Sequence, residues 1–129
     1  MKNKDVIVVI PTLNPNEKIM NDFIIKLKKI FSNILIVDDG CRDKSRKYLK
    51  SLEDKNIKVI THYKNYGKGR AIKFALNHVL NEYKDVKAIV TADCDGQHTP
   101  EDILKISKKT IKNPNAYILG CRNFKKDNG

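Results

Sequence analysis

The chain has 129 residues, 40% hydrophobic and 32% charged, and its 26 Lys and Arg outweigh 15 Asp and Glu for a formal net charge of +11. That length makes one domain able to bury a core. The composition excludes collagen-like, mucin-like and intrinsically disordered chains, and no apolar run approaches the ~20 residues of a membrane span.

Residues 6–10, Val-Ile-Val-Val-Ile, form a continuous β-branched run that predicts a strand buried on both faces and stopped by Pro11. Met20, Phe23, Ile24, Leu27, Ile30 and Phe31 recur at helical spacing and predict an amphipathic helix over 16–31. A second buried strand is expected at 34–37, a short helix at 43–53 and a third strand at 57–61. A long helix follows at 68–83, carrying Ile72, Ala75, Leu76, Val79, Leu80 and Tyr83 on one face. A fourth strand at 88–92 precedes Thr99-Pro100-Glu101-Asp102, an N-cap threonine, a first-turn proline and two acids that announce a helix running to about 112. A fifth strand is expected at 116–120. Strict β-α alternation with short apolar strands specifies an α/β fold, a mainly parallel sheet of about five strands with helices on both faces. Right-handed crossovers limit its topologies.

The three cysteines are odd in number and contain no C-x-x-C pair, which predicts a reduced, cytoplasmic protein in which Cys41, Cys94 and Cys121 serve packing. The apolar run at 6–10 is too short for the core of a signal peptide. The positive excess is mostly lysine dispersed along the chain and reads first as a solvated surface. A nucleic-acid partner is not expected, because only 63–70 interleaves basic and aromatic residues.

Polar clusters fall after every strand: Pro11-Thr12-Leu13-Asn14, Asp38-Asp39-Gly40, Asn65-Tyr66-Gly67-Lys68-Gly69, Asp93-Cys94-Asp95 and Gly120-Cys121-Arg122. In a parallel sheet all five gather at the carboxyl edge, where α/β proteins bind ligands near the switch in strand order. Asp93 and Asp95 flank one residue, which in extended backbone puts both carboxylates on one side, roughly 7 Å apart at Cα. Two such groups repel unless a cation lies near them, and Mg²⁺ or Mn²⁺ prefers oxygen ligands shared with phosphate. Asp38 or Asp39 could cap the following helix or accept from a nucleobase N–H or a ribose hydroxyl. Gly67-Lys68-Gly69-Arg70 opens a helix and suits a phosphate or diphosphate, although it matches neither the P-loop nor the full dinucleotide fingerprint. His98 reads as a polar loop residue with metal ligation as the alternative, and His62 and His78 show no partner pattern.

Taken together these stretches resemble the family 2 glycosyltransferases of GT-A fold, nearest the subgroup of polyprenyl- and dolichyl-phosphate sugar synthases. The matching segments are 9–14 with Glu17, 36–43, 65–71, 92–98 with Pro100-Glu101-Asp102, and 120–122, in family order over nearly the whole chain. The resemblance implies a Rossmann-like, nucleotide-sugar-binding domain over 1–129 and an inverting, metal-dependent transfer of a hexosyl group. The donor would be a UDP- or GDP-linked sugar, and the acceptor a polyprenyl phosphate or a glycan. Pro11, Thr12, Leu13 and Glu17 would line the nucleoside pocket, with Asp38 or Asp39 on the base or ribose. Gly67, Lys68 and Arg122 would meet the diphosphate. Asp93, Cys94 and Asp95 would close the site, Asp95 and Asp93 holding Mg²⁺ or Mn²⁺. Family members continue well past the Gly-x-Arg strand, so the resemblance places the catalytic base outside these residues and makes this chain the donor half of a longer enzyme. A non-catalytic nucleotide-sugar binder is the second reading. Lysine-rich helices would allow peripheral contact with the cytoplasmic face of an anionic membrane.

Overall fold

A computed structural model describes residues 2–62, 68–83, 85–92, 99–111 and 118–120, with the side chains of all but 68–69, 106–111 and 118–120. The chain alternates β1 (Asn3–Thr12), α1 (Glu17–Ile30), β2 (Phe31–Asp39), α2 (Asp43–Ser51), β3 (Ile57–His62), α3 (Lys68–Glu82), β4 (Ala88–Thr91), α4 (Pro100–Ile111) and β5 (Ile118–Gly120). The five strands form one sheet in the order β3-β2-β1-β4-β5, every pair parallel.

Alternation along the strands splits the core in two. Val6, Val8, Ile10, Ile34, Ile36, Ala88 and Val90 face one way, under Met20, Phe23 and Leu27 of α1, Leu49 of α2 and Ile103 of α4. Ile7, Val9, Leu35, Val37 and Ile89 face the other way, under Ala71, Ala75 and Val79 of α3. This two-sided burial is why β1 and β4 and the middle of β2 read as continuous apolar runs, whereas the edge strand β3 alternates at Lys58.

Several boundaries depart from the sequence expectation. β1 continues through Pro11 to Thr12. The alternation that points the Val9 carbonyl at the Ala92 N–H (2.9 Å) turns the Pro11 nitrogen the same way, beyond the last residue of β4, so no ladder bond is lost. β1 also starts earlier, at Asn3, whose Oδ1 accepts from the Asp5 and Val6 N–H groups. β2 begins at Phe31, directly against the end of α1, because pairing with β1 and the fully buried Phe31 ring hold residues 31–33 extended despite two polar side chains. α2 stops at Ser51, short of 53. The N-caps of α1 and α4 follow the usual chemistry: Asn16 Oδ1 accepts from Ile19 N–H at 3.0 Å, and Thr99 Oγ1 from Asp102 N–H at 3.1 Å.

The helices lie on both faces, as expected, but not as uniform right-handed crossovers. The β1–α1–β2 and β4–α4–β5 units step across the sheet in opposite directions with both helices on one face, so they differ in hand. Ile103 draws α4 to that side by completing the larger core cluster. At the outer edge, the end of α2 and the residues after it reach over β3: Glu53 Oε2 accepts from the Val59 N–H (3.1 Å), and Lys50 Nζ donates to the Val59 carbonyl (3.3 Å).

Candidate functional site at the carboxyl edge of the sheet

Because the strands are all parallel, their carboxyl ends share one rim. Register places Thr12 beside Asp38, Asp39 beside His62, and Thr91 between Val9 and Gly120. The chain winds outward from β1 to β2 and β3, then returns to lay β4 on the other side of β1. The switch in winding therefore lies between β1 and β4, where a crevice opens in folds of this kind. Pro11 and Thr12 are buried at that point, and Leu13, just beyond them, is 46% exposed.

The two adjacent aspartates have different surroundings. Asp38 is fully buried, and both its oxygens are engaged: Oδ1 accepts from Cys41 N–H at 2.8 Å and Oδ2 from Arg46 Nε at 3.0 Å. Arg46 Nη2 also donates to the Cys41 carbonyl at 3.1 Å. A buried carboxylate is tolerated only when so paired, and this pairing closes the turn around Gly40, whose φ of 80° lies in the left-handed region. Asp38 thus serves the scaffold. Asp39 is 5% exposed at the rim, and its Oδ1 lies 3.3 Å from His62 Nδ1. The His62 ring stacks on Phe74 of α3, centroids 4.9 Å apart and planes 18° from parallel.

The loops after β1 and β2 are laced together. Asn14 adopts φ 46°, a left-handed value that asparagine tolerates better than most residues. Its N–H donates to Cys41 Sγ (3.2 Å), its Oδ1 accepts from Arg42 N–H (2.8 Å), and Cys41 Sγ donates to the Thr12 carbonyl (3.6 Å). Burial, with the Asp38 carboxylate nearby, pushes the Cys41 thiol from 9.0 up to about 11. The folded state therefore holds this proton more tightly than the unfolded chain, and its contribution to stability is lost as pH rises from 9.0 towards about 11. At pH 8 Cys41 is expected to resist iodoacetamide in the native protein and to react once urea unfolds it, as read by mass spectrometry of the Cys41 peptide. Rapid native labelling would contradict this placement.

Glu17 opens α1 with an exposed side chain, and its backbone carbonyl accepts from the Tyr48 hydroxyl at 3.0 Å. Lys68 is the first residue of α3. Gly67, Asp93, Cys94, Asp95, His98 and Arg122, together with the Lys68 side chain, lie outside the described residues. Among the described residues no group of three or more His, Cys, Asp or Glu is arranged to hold a metal. Asp93 and Asp95, the carboxylates whose oxygens would suit Mg²⁺ or Mn²⁺ on the sequence reading, follow Ala92 in the chain and belong to the residues outside that description.

Two residues escaped the sequence reading. His62 and Arg46 carry no motif, and only the β2–β3 register and the path of α2 bring them to the aspartates. Its position directly after the expected strand at 57–61, and so at the carboxyl rim, was the available signal for His62.

A doubly wound parallel sheet with a carboxylate-bearing rim beside its switch point is an α/β architecture of the kind that receives ligands at the carboxyl ends of its strands. This chain belongs to glycosyl transferase family 2, whose model matches residues 7–129. It is 34% identical to the UDP-N-acetylglucosamine–dolichyl-phosphate N-acetylglucosaminyltransferase of Methanococcus voltae, over 95% of this chain and 53% of that protein. It is 36% identical to an uncharacterized protein of Methanocaldococcus jannaschii, over 93% and 53%. It is 29% identical to the human dolichyl-phosphate beta-glucosyltransferase, over 92% and 40%. The chain spans about half the length of the first two of these relatives.

Proposed function

We propose that this chain binds a nucleoside-diphosphate sugar in the crevice between β1 and β4 and serves inverting glycosyl transfer to a polyprenyl- or dolichyl-phosphate acceptor. The observation that carries the reading is the meeting of the β1, β2 and β4 ends on one rim, with the Asp39 carboxylate buried there, in a chain of glycosyl transferase family 2. Two of the relatives are named as transferases to dolichyl phosphate, which motivates the acceptor class.

In this reading Asp39 accepts from a base N–H or a ribose hydroxyl, and Pro11, Thr12 and Leu13 form the wall against the nucleoside, with Glu17 at its margin. The diphosphate lies toward the amino end of α3, where backbone N–H groups and Lys68 favour an anion and Gly67 allows close approach. Arg122 adds a second cation. Asp95, with Asp93 and Cys94 beside it in sequence, would hold Mg²⁺ or Mn²⁺. When bound, that ion supplies Lewis-acid stabilisation of the negative charge that builds on the leaving diphosphate. Transfer is one in-line displacement: an acceptor oxygen forms a bond to the anomeric carbon as the bond to the diphosphate oxygen breaks and takes its electron pair. A phosphate acceptor is already anionic and needs no proton removed.

No helix among the described residues is long and apolar enough to cross a membrane. Lys18 and Lys29 on α1 are exposed for peripheral contact with an anionic membrane surface carrying the acceptor, beside Lys26, which pairs with Asp22.

A thermal-shift and calorimetric panel of UDP, GDP and their sugars, with and without Mn²⁺, tests donor binding. One nucleotide series is expected to stabilise the fold by about 2.7 kcal/mol at a hundredfold excess over its Kd, with Mn²⁺ required. No response to any member under either condition would overturn the proposal.

A further inference from the structure

The Asp39–His62–Phe74 stack joins three elements at the rim, β2, β3 and α3. None of the motif residues requires a histidine at the end of β3. Its placement nevertheless answers a physical problem set by Asp39. That carboxylate is 5% exposed, and its neighbour Asp38 already occupies Arg46. A carboxylate at such burial needs a donor, and one that can rotate would leave its second oxygen poorly aimed. His62 Nδ1 stands 3.3 Å from Oδ1, and the Phe74 ring lies flat against the imidazole at 18°. A neutral imidazole that faces a carboxylate through Nδ1 carries its proton on that nitrogen.

We infer that His62 is a positioning residue of the donor site. Its Nδ1–H holds the Asp39 carboxylate in the orientation that accepts from the nucleoside, and Phe74 fixes the plane of the imidazole. The effect is preorganisation: the carboxylate is aimed before the ligand arrives, so less ordering is left to binding. This role rests on the donor-binding reading above. Phe74 comes from the second turn of α3, the helix whose first residue is Lys68. A shift of that helix would therefore be felt at Asp39 through the stacked rings.

Two measurements test the inference. In the ligand-free chain, the ¹⁵N spectrum of His62 is expected to show the Nδ1–H tautomer, reverting to Nε2–H in Asp39→Ala. An Nε2–H ring in the native chain would overturn the proposal. In calorimetric titrations with UDP and GDP plus Mn²⁺, His62→Phe keeps a ring against Phe74 and removes the donor. Its affinity is expected to fall about tenfold, the scale of one hydrogen bond to a charged group. His62→Asn returns an N–H close to the Nδ1 position and should recover most of the loss. A merely structural histidine would change the melting temperature in both variants and leave the affinity of the folded fraction untouched, and that result sinks the inference while leaving donor binding intact. If the native chain binds neither UDP nor GDP, the donor reading has failed and this role fails with it; the tautomer then still reports whether the pair exists.

Discussion

Replacing Asp38 with alanine is expected to destabilise the domain by about 3 kcal/mol, the lower end of the range for breaking a buried ion pair. The lower end applies because Arg46 is 28% exposed and can recover part of its hydration, whereas the Cys41 N–H is left buried. The loss should appear as a lower urea midpoint with an unchanged slope. Asp38→Asn keeps an acceptor for the Cys41 N–H and gives up the charge opposite Arg46, so a smaller loss of about 1–2 kcal/mol is expected. Asp39→Asn should do the reverse, leaving the midpoint near native while weakening UDP or GDP. The contrast separates two carboxylates that are adjacent in sequence. A native midpoint for Asp38→Ala would refute its assignment to the scaffold.

The second large effect is expected at Asp95. In the proposed donor site Asp93 and Asp95, two residues apart in sequence, share a hard divalent ion with the diphosphate, so losing one would remove both a ligand and a neutralising charge. Asp95→Ala should weaken Mn²⁺-supported binding of UDP or GDP at least ~100-fold, beyond the 10- to 100-fold typical of changes around metal ligands. Native protein stripped with EDTA should fall to a similar level, and Asp93→Ala should show an intermediate loss. Undiminished Mn²⁺ dependence in Asp95→Ala would place the ion elsewhere.

The order of strands and helices was legible because each strand carries a short apolar stretch, unbroken and largely β-branched in β1, and each helix has one apolar face. Strand limits were less so. Ser32, Asn33 and Asn3 to Asp5 are poor strand formers by composition, and the Asn3–Phe31 and Ile7–Asn33 pairings that bracket them hold the chain extended. That the rim would gather Pro11, Thr12, Asp38 and Asp39 followed from parallelism alone. The division of labour between Asp38 and Asp39 did not, since it depends on Arg46 arriving from α2 and His62 from β3. The face chosen by α4 was likewise invisible, because an amphipathic helix fits either side of a doubly buried sheet until a particular side chain, here Ile103, finds its cavity.

The contacts of Glu53 and Lys50 with Val59 have a consequence for the behaviour of the protein at high concentration. β3 is an outermost strand, and the outward N–H and carbonyl of Val59 are the groups a strand from another molecule would seek. With both already satisfied and Lys58 exposed beside them, that border offers little template for intermolecular sheet growth. Paired Glu53→Ala and Lys50→Ala substitutions would uncover it.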